Sequence, residues 1–401
     1  MEYKNRIYQL DGKVQYYQWG GEKYIPNLLG IPNDKNQPFA EYWLGAHNNA
    51  PAMLEGTNLD QTIADNTQIL GQAVATKFGR LPYLLKILDV RDMLSIQVHP
   101  DKKSAEAGFE RENKIGLAKN APTRNYKDDN HKPELMAAIG DFWLLHGFKN
   151  RRHMDGAIEA VPEFAFMKDI LDADGLSVLY RTLMTMEESM VNEILQPVLD
   201  RIIPLYQEGK LNREQADFWA ARAALTYNLN GVIDRGIFSV YLLNLVFLPA
   251  GTAIFQDAGI LHAYLEGQNV EIMANSDNVL RGGLTPKHID VEELMKHVNF
   301  EPVKPDILIP QPVNDFERVF RTPAADFELS RIDIAGGNSL PCESTTTDIF
   351  LILSGSIVVS AENSIALGKG QSFISFAGTS LRIAAKESCE IYRATVPVSS
   401  F

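Results

Sequence analysis

Short strand-like runs, broken by proline and glycine turns, occupy both ends of this 401-residue chain and restrict it to a mainly β fold. In the N-terminal part they include residues 81–88 and 94–99. Near the C-terminus, residues 348–359 have a strand–turn–strand pattern, and residues 367–374 repeat it. This rhythm is typical of a sandwich or a double-stranded jelly roll, so we expect jelly-roll domains.

A helical pattern interrupts the strands. Residues 187–206 place apolar side chains at steps of three and four, and residues 212–228 do the same, as amphipathic helices require. Strand patterns resume near Gly236, and residues 238–248 are predicted as one strand. The organisation that we predict has a β domain from residues 1–150 and 231–313, a helical insertion over 151–230 and a C-terminal jelly-roll domain over 314–401.

Charge and composition disfavour several classes of protein. The net charge of −13 repels nucleic acid and anionic membranes. Cys342 and Cys389 are the only cysteines and have no metal-binding spacing, which fits a reducing cytoplasm. The N-terminus lacks a signal-peptide pattern, and the apolar stretch at residues 240–250 is too short to span a bilayer. We expect a cytoplasmic protein. If its substrate is a phosphate ester, Lys and Arg side chains must be concentrated locally in a pocket, because the net charge is negative.

Two short segments carry residues suited to a metal ion. Gln97 and His99 are two positions apart on a predicted strand, so their side chains share a face. An imidazole and an amide oxygen can form half of a zinc site. The acidic and basic segment 126–134 ends with Glu134 at the start of a buried strand, where a carboxylate needs a cation or a metal. Each segment alone also fits a polar strand edge or a solvated loop.

Residues 262–287 form the segment richest in chemistry. They begin with His262 after an apolar strand and continue through Glu271, Asp277 and Arg281, with small apolar residues between them. A single histidine after a strand is usually structural, but polar groups interleaved with apolar ones are typical of a pocket wall. Paired glycines follow Arg281 and permit close approach of the backbone to a ligand.

These three segments resemble the type I mannose-6-phosphate isomerase family, which belongs to the cupin superfamily. The family pattern H-A-Y-x-x-G-x-x-x-E-x-M-A-x-S-D-N-x-x-R-x-G-x-T-P-K is matched by residues 262–287, and Y-x-D-x-N-H-K-P-E by residues 126–134. The S-I-Q-V-H-P strand at 95–100 and the segments 17–20 and 40–47 also match. The resemblance extends in family order over most of the chain, and the segment after residue 313 matches only as a generic jelly roll.

The resemblance implies a cupin fold with a catalytic jelly roll, and an isomerase that interconverts mannose 6-phosphate and fructose 6-phosphate through a cis-enediol. It also implies a small sugar phosphate as partner and a monomer. The C-terminal segment has no H-x-H or similar ligand set, so we expect its jelly roll to be metal-free. One zinc ion per chain is expected on Gln97, His99, Glu134 and His262. Arg281 is expected to stabilise the enediolate, with Lys132 or Asp277 handling the proton and His131 and Glu271 as further candidates; the phosphate candidates are Ser95, Lys86 and Lys287.

Two other functions compete with isomerisation. A non-catalytic zinc cupin that binds sugar phosphate would retain the metal ligands but lose Arg281 or the lysines, and this chain retains both. A cupin dioxygenase or epimerase is the second alternative. Oxygenases favour an iron site of two histidines and one carboxylate, whereas Gln97 beside His99 fits zinc better.

Overall fold

The computed structural model describes residue 3 and residues 5–397, and the expected mainly β architecture with helices is confirmed. The strands, β1 to β23 in chain order, are Ile7–Asp11, Lys13–Gln15, Glu41–Gly45, Met53–Leu54, Thr57–Asn58, Tyr83–Val90, Ile96–Val98, Glu134–Ala138, Phe142–Phe148, Leu243–Leu248, Ala253–Gln256, His262–Ala274, Leu280–Gly283, Gln311–Pro312, Glu317–Phe320, Glu328–Ile334, Ser339–Ser344, Asp348–Ser354, Ser356–Ser360, Ser364–Gly368, Ser372–Ser375, Thr379–Ala385 and Cys389–Thr395. The helices, α1 to α11, are Tyr24–Leu29, Leu59–Asp65, Gln72–Phe78, Lys102–Lys114, Arg151–Glu159, Ala165–Asp174, Leu176–Thr185, Glu188–Gln207, Ala216–Tyr227, Gly236–Leu242 and Val291–His297, with short 3₁₀ helices at Thr67–Leu70 and Pro162–Phe164.

The 13-residue strand β12 is the centre of a ten-stranded sheet. Its first residues pair with β7 and β9, and its second half pairs with β6 and β8. Gly267 lies between the two halves with φ of +134°, and a Cβ atom there would lie 2.5 Å from the Phe142 ring. Because β12 crosses between these neighbours, residues from several strands surround one interior, where Leu88, Met136 and Tyr264 belong to a common apolar cluster.

Strand β1 belongs to the same sheet as strands from the C-terminal part of the chain. β1 pairs with β21 through Ile7 and Ser375, and with β4 through Leu10 and Leu54. This pairing places β1 inside the nine-stranded sheet that β15, β16, β18, β21 and β23 form. The four-stranded sheet β17-β22-β19-β20 contributes to the same buried core. We therefore propose that the domain predicted from residue 314 is completed by the N-terminal strand.

Helices α5 to α10 occupy residues 151–242, and their core, with the fully buried Trp219, packs on β7 and β9. The predicted helices over 187–206 and 212–228 correspond to α8 and α9. The prediction of one strand over 238–248 is wrong in its first half, because α10 ends only at Leu242. Every residue of α10 is buried, so its sequence lacks the polar face that distinguishes a helix from a buried strand. Within residue 3 and residues 5–397, no helix has the length and apolar character needed to cross a membrane.

The glycines that follow Arg281 have a packing role. Gly283 has φ of +125°, and a Cβ atom there would lie 2.4 Å from the Gly236 Cα atom. A Cβ atom on Gly282 would lie 3.0 Å from the Tyr180 hydroxyl. These glycines therefore let β13 pack against the helices, whereas the sequence suggested close approach to a ligand.

Candidate metal centre and its cavity

Three buried side chains converge at the first residues of β12. His99 directly follows β7, Glu134 begins β8 and His262 begins β12. His99 Nε2 lies 3.5 Å from Glu134 Oε1, and His262 Nε2 lies 3.3 Å from Glu134 Oε2. The potential ligand atoms of all three residues lie within 4.8 Å of one another. Among the described residues, no other group of three or more His, Cys, Asp or Glu side chains is placed to hold a metal ion.

Backbone carbonyls fix the orientation of both imidazoles. His99 Nδ1 donates to the carbonyl of Asn278 at 2.8 Å, and His262 Nδ1 donates to the carbonyl of Ile260 at 2.9 Å. A carbonyl only accepts, so Nδ1 carries the proton in each ring and the Nε2 lone pair faces Glu134. Both Nε2 atoms and Glu134 Oε2 are buried without a hydrogen-bond partner in the described structure. Buried polar atoms are normally paired, so these three point to a bound cation.

The protonation states of the group suit metal binding. Burial lowers the pKa of His99 to about 4, so its imidazole is neutral at pH 7. Burial alone would raise the pKa of Glu134, but the Lys132 ammonium, 3.1 Å from Glu134 Oε1, lowers it well below its usual range. A neutral imidazole and an ionised carboxylate are the forms that bind a divalent metal.

Gln97 extends this group along β7. It pairs in register with His262 on one side and with Arg281 of β13 on the other. Directly paired residues share a face of a sheet, so Gln97 lies between a candidate ligand and a cation. Ligands of a tetrahedral zinc ion lie about 3.3 Å apart when each bond is roughly 2.0–2.1 Å. The 3.3 Å and 3.5 Å separations around Glu134 fit that spacing, as the nitrogen and oxygen donors fit zinc.

A cavity of about 710 Å³ opens beside Gln97, a size suited to a small ligand. Many of the residues that the sequence singled out line it, and Trp19, Trp43 and Tyr227 add aromatic walls. The predicted site residues in this lining are Lys86, Ser95, Gln97, Lys132, Asp277, Arg281 and Lys287.

Arg281 and Lys287 bring positive charge to the cavity. Neither side chain forms a hydrogen bond or an ion pair with another residue in the described part of the chain. Burial lowers the pKa of Arg281, and burial together with the Arg281 charge lowers the pKa of Lys287. Arg281 is therefore not paired with Asp277, four residues earlier, in the described part of the chain. Two cations without carboxylate partners favour an anionic ligand.

Lys86 belongs to a separate buried network. Its Nζ atom lies 3.0 Å from Glu271 Oε1 and 3.7 Å from Glu41 Oε2. Burial alone would lower the pKa of Lys86, but these carboxylates raise it, so its ammonium stays charged. Burial raises the pKa of Glu271, which also accepts the Tyr264 hydroxyl at 2.8 Å and lies outside the cavity lining. Sequence reasoning assigned no role to Glu41, although the matched segment 40–47 contains it.

His47 and Asn49 hold Asp277 at the cavity wall. The Asn49 backbone N–H donates to His47 Nδ1, so His47 Nε2 donates to Asp277 Oδ1 at 3.1 Å. Asn49 Nδ2 donates to Asp277 Oδ2 at 3.0 Å. Burial alone would raise the pKa of Asp277, but the His47 hydrogen bond and the charges of Lys132 and Lys86 lower it. Asp277 is therefore a carboxylate at neutral pH, and the position of His47 in a matched segment was the signal for its role.

His131 is not brought together with the other candidates. Its Nε2 atom lies 2.9 Å from Asp326 Oδ2, in the segment that precedes β16, and it does not line the cavity. Neighbouring residues of an extended segment point in opposite directions, so Lys132 faces the cavity while His131 faces away.

Comparisons with known proteins agree with this geometry. Residues 7–151 match the family described as phosphomannose isomerase type I, catalytic domain. The mannose-6-phosphate isomerases of Salmonella typhimurium and Escherichia coli are each 36% identical to this chain, and each match covers 91% of this chain and 93% of the relative. The crystal structure of the Salmonella typhimurium enzyme bound to its substrate, fructose 6-phosphate, and to zinc has a TM-score of 0.86 at 33% identity, covering 98% of this chain and 100% of that one. With such identity over nearly its whole length, the chain belongs to the type I mannose-6-phosphate isomerase family.

Proposed function

We propose that this protein is a zinc-dependent isomerase that interconverts mannose 6-phosphate and fructose 6-phosphate through a cis-enediol. The observation that carries the proposal is the buried group of His99, Glu134 and His262 beside a cavity with unpaired cations. Relatives 36% identical to this chain are named mannose-6-phosphate isomerases, and a solved relative is bound to fructose 6-phosphate and zinc. A resident metal accounts for the buried His99, Glu134 and His262 group, and an anionic sugar accounts for the cations of the cavity.

The metal would be held by His99, Glu134, His262 and Gln97. Two imidazoles, one carboxylate and one amide oxygen leave the site with a single formal negative charge. A bound zinc ion supplies Lewis acidity toward the oxygens of the sugar. Carbonyl groups hold both histidine rings in the tautomer that this binding requires.

Moving a proton between C1 and C2 needs a base beside these carbons. We assign this role to Asp277, because its carboxylate is ionised at neutral pH and lines the cavity. We assign proton donation to the ring oxygen, as the sugar opens, to the Lys132 ammonium, which lines the cavity and lies 3.1 Å from Glu134 Oε1. Glu271 is less suited to either role, because it does not line the cavity and already accepts hydrogen bonds from Lys86 and Tyr264.

Negative charge develops on the sugar oxygens as the enediol forms, and a fixed cation lowers that barrier. Arg281 is the proposed cation, since it has no carboxylate partner in the described chain and neighbours Gln97 across the ladder. Ser95 and Lys287 are the proposed phosphate contacts near it. Lys86 is already paired with two carboxylates, so we propose that it contacts the sugar instead of the phosphate.

Removing single ligands tests the proposal. His99→Ala and His262→Ala should each lower bound zinc and turnover together, because the remaining ligands hold the ion poorly. His153→Ala is the matched control, since this histidine is exposed on α5. Zinc content is measured by elemental analysis, and turnover by a coupled assay of fructose 6-phosphate formation. Full zinc occupancy with full turnover in either ligand variant would overturn the proposal.

A further inference from the structure

We infer that Asp128 is a positioning residue that orients both the proposed metal ligand His99 and the proposed base Asp277. This inference rests on the proposed function, because it concerns the same metal site. Asp128 lies in the segment between α4 and β8 and does not line the cavity beside Gln97. It therefore acts through other residues, without contact to the sugar.

The Asp128 carboxylate binds three consecutive residues of the β12–β13 connection. Its Oδ2 atom accepts the backbone N–H of Asp277 at 2.7 Å. Its Oδ1 atom accepts the Ser276 hydroxyl at 2.8 Å and the Asn278 side-chain amide at 3.3 Å. The Asn130 backbone N–H also donates to Oδ1, at 2.9 Å. An ionised carboxylate with this many donors forms strong, charge-assisted hydrogen bonds.

Asn278 carries this restraint to the metal ligand. Its side chain is fully buried, and Nδ2 donates to the Asp128 carbonyl at 2.8 Å and to the Asn130 carbonyl at 2.9 Å. Its Oδ1 atom accepts the Lys127 backbone N–H at 2.7 Å. The carbonyl of the same Asn278 accepts His99 Nδ1 at 2.8 Å and so fixes the direction of the His99 ring. Displacing Asn278 would rotate the acceptor that holds this ligand.

Asp277 is restrained by the same carboxylate from its backbone side. Its side chain is held by His47 and Asn49, and its N–H is held by Asp128. The three contacts together fix both the chain and the carboxylate of Asp277. One substitution at Asp128 should therefore loosen the metal ligand and the proposed base together, whereas His262 keeps its own carbonyl partner, Ile260.

The test compares Asp128→Asn with Asp129→Asn in the full-length zinc enzyme. Asn keeps the shape of Asp128 but turns one acceptor oxygen into a donor that faces other donors. Asp129 is the matched control, because its side chain is 54% exposed and its nearest cation, on Arg80, is 3.9 Å away. Zinc affinity is measured by competition with a chromophoric chelator, and the ligand field by the absorption spectrum of the cobalt-substituted protein. Kinetic constants for mannose 6-phosphate complete the comparison.

We expect Asp128→Asn to weaken zinc binding about 10-fold or more, as changes to outer-shell partners of metal ligands do. The cobalt spectrum should shift and kcat should fall more than KM rises, while Asp129→Asn matches the wild type. If Asp128→Asn does not fold, Ser276→Ala removes one of the same hydrogen bonds and should weaken zinc binding by about threefold or more. Wild-type zinc affinity, cobalt spectrum and kcat in Asp128→Asn would overturn the inference about Asp128 but not the proposed function. If Asp128→Asn does not fold, the same result in Ser276→Ala would do so. A wild-type protein that binds no zinc would overturn the proposed function as well.

Discussion

At the scale of single residues, the site is defined by atoms that lack a partner where one is expected. His99 Nε2, His262 Nε2 and Glu134 Oε2 are buried and unsatisfied in the described structure, and Arg281 has no counter-ion there. Leaving buried polar atoms unsatisfied costs stability, roughly 1–3 kcal/mol for each group. A metal ion would remove these costs for the three buried atoms, and an anionic sugar would supply the counter-ion that the half-buried Arg281 lacks in the described structure.

Arg281→Ala tests the role of the free cation. Turnover should fall roughly 10²-fold or more, as it does when a donor to a developing oxyanion is removed. Zinc content and melting temperature should change little, because Arg281 has no partner to lose in the described chain. Arg281→Lys should restore only part of the turnover, since a point charge cannot reproduce the planar guanidinium. A destabilised but fully active Arg281→Ala enzyme would show that Arg281 is structural.

His146 gives a prediction of pH dependence. Its Nδ1 atom lies 2.7 Å from Gln256 Oε1, and burial lowers its pKa to about 4. The pKa in the unfolded chain is about 6.5, so between these values the unfolded state binds a proton that the folded state does not. The free energy of unfolding therefore falls as the pH decreases through this window, by up to about 1 kcal/mol per pH unit from this residue.

His146→Gln should reduce that slope relative to the wild type. Urea unfolding of both zinc-loaded proteins at about pH 7.5 and about pH 5.5 measures the difference. Equal losses of stability in the two proteins would show that His146 is protonated equally in the folded and unfolded states.

At the scale of elements, β12 connects the metal ligand to the lysine network. His262 is its first residue and Glu271 lies in its second half, with Gly267, whose φ is positive, between them. The strand pairs with β6, β7 and β8, which carry Lys86, Gln97 and Glu134, and His99 directly follows β7. Distortion of β12 at Gly267 would therefore change the spacing between these groups.

Gly267→Ala should lower the free energy of unfolding by about 2 kcal/mol or more, because the backbone is in the left-handed region and the new methyl group meets Phe142. Zinc affinity should fall with it. Gly156→Ala in α5 is the control: nothing lies within 4 Å of its Cβ position, so it should stabilise by about 0.5–1 kcal/mol. Chemical denaturation measures the free energy of unfolding, and chelator competition measures zinc affinity. A Gly267→Ala variant with wild-type values of both would contradict this role of Gly267.

Strand and helix patterns predicted much of this architecture. The alternation in residues 348–359 and the amphipathic periodicity of residues 187–206 correspond to β18, β19 and α8. The mostly apolar α10 was mistaken for a strand, because complete burial removes the periodicity that distinguishes a helix from a strand. The pairing of β1 with β21 could not be predicted either, since partners such as Gln9 and Phe373 lie near opposite ends of the chain and register between distant strands leaves no local pattern.

The candidate site was predictable to the extent that its motifs are local. Gln97, His99, Glu134 and His262 were named from strand alternation and family resemblance, and the structure brings His99, Glu134 and His262 together as a candidate metal site. Partners across the fold were not predictable: His131 contacts Asp326, and the Lys86 ammonium forms ion pairs with Glu271 and Glu41. Such pairings depend on the tertiary arrangement of distant segments, and a motif specifies only residue type and spacing.

At the scale of the whole molecule, the C-terminal strands contact β6 of the ten-stranded sheet through a buried side chain. Tyr83 of β6 places its hydroxyl 2.8 Å from the Thr347 carbonyl and 3.1 Å from the Ala394 carbonyl. The apolar core around it contains residues from both parts, including Leu85 and Ile349. Tyr83 and Lys86 are three positions apart on β6, so their side chains face opposite sides of the sheet. We propose that the C-terminal strands support β6 from the side away from Lys86 and have a structural role.

Tyr83→Phe tests this role. It should lower the free energy of unfolding by about 1–3 kcal/mol, because buried carbonyls lose their donor. Lys369→Ala, an exposed change in the C-terminal domain, should leave stability and kinetics near wild type. We expect kcat within about twofold of wild type for both variants, measured on folded protein. A large loss of turnover in either folded variant would assign a catalytic contribution to this domain.

A zinc ion at His99, Glu134 and His262 is proposed to enable aldose–ketose isomerisation. The most direct measurement is turnover of mannose 6-phosphate to fructose 6-phosphate by the purified protein, before chelation, after chelation and after zinc is added back. We predict that chelation abolishes turnover and that zinc restores it at about one ion per chain, because the described residues form one candidate site. Undiminished turnover by protein shown to be free of metal, or no turnover with zinc bound, would contradict the proposed zinc-dependent isomerisation.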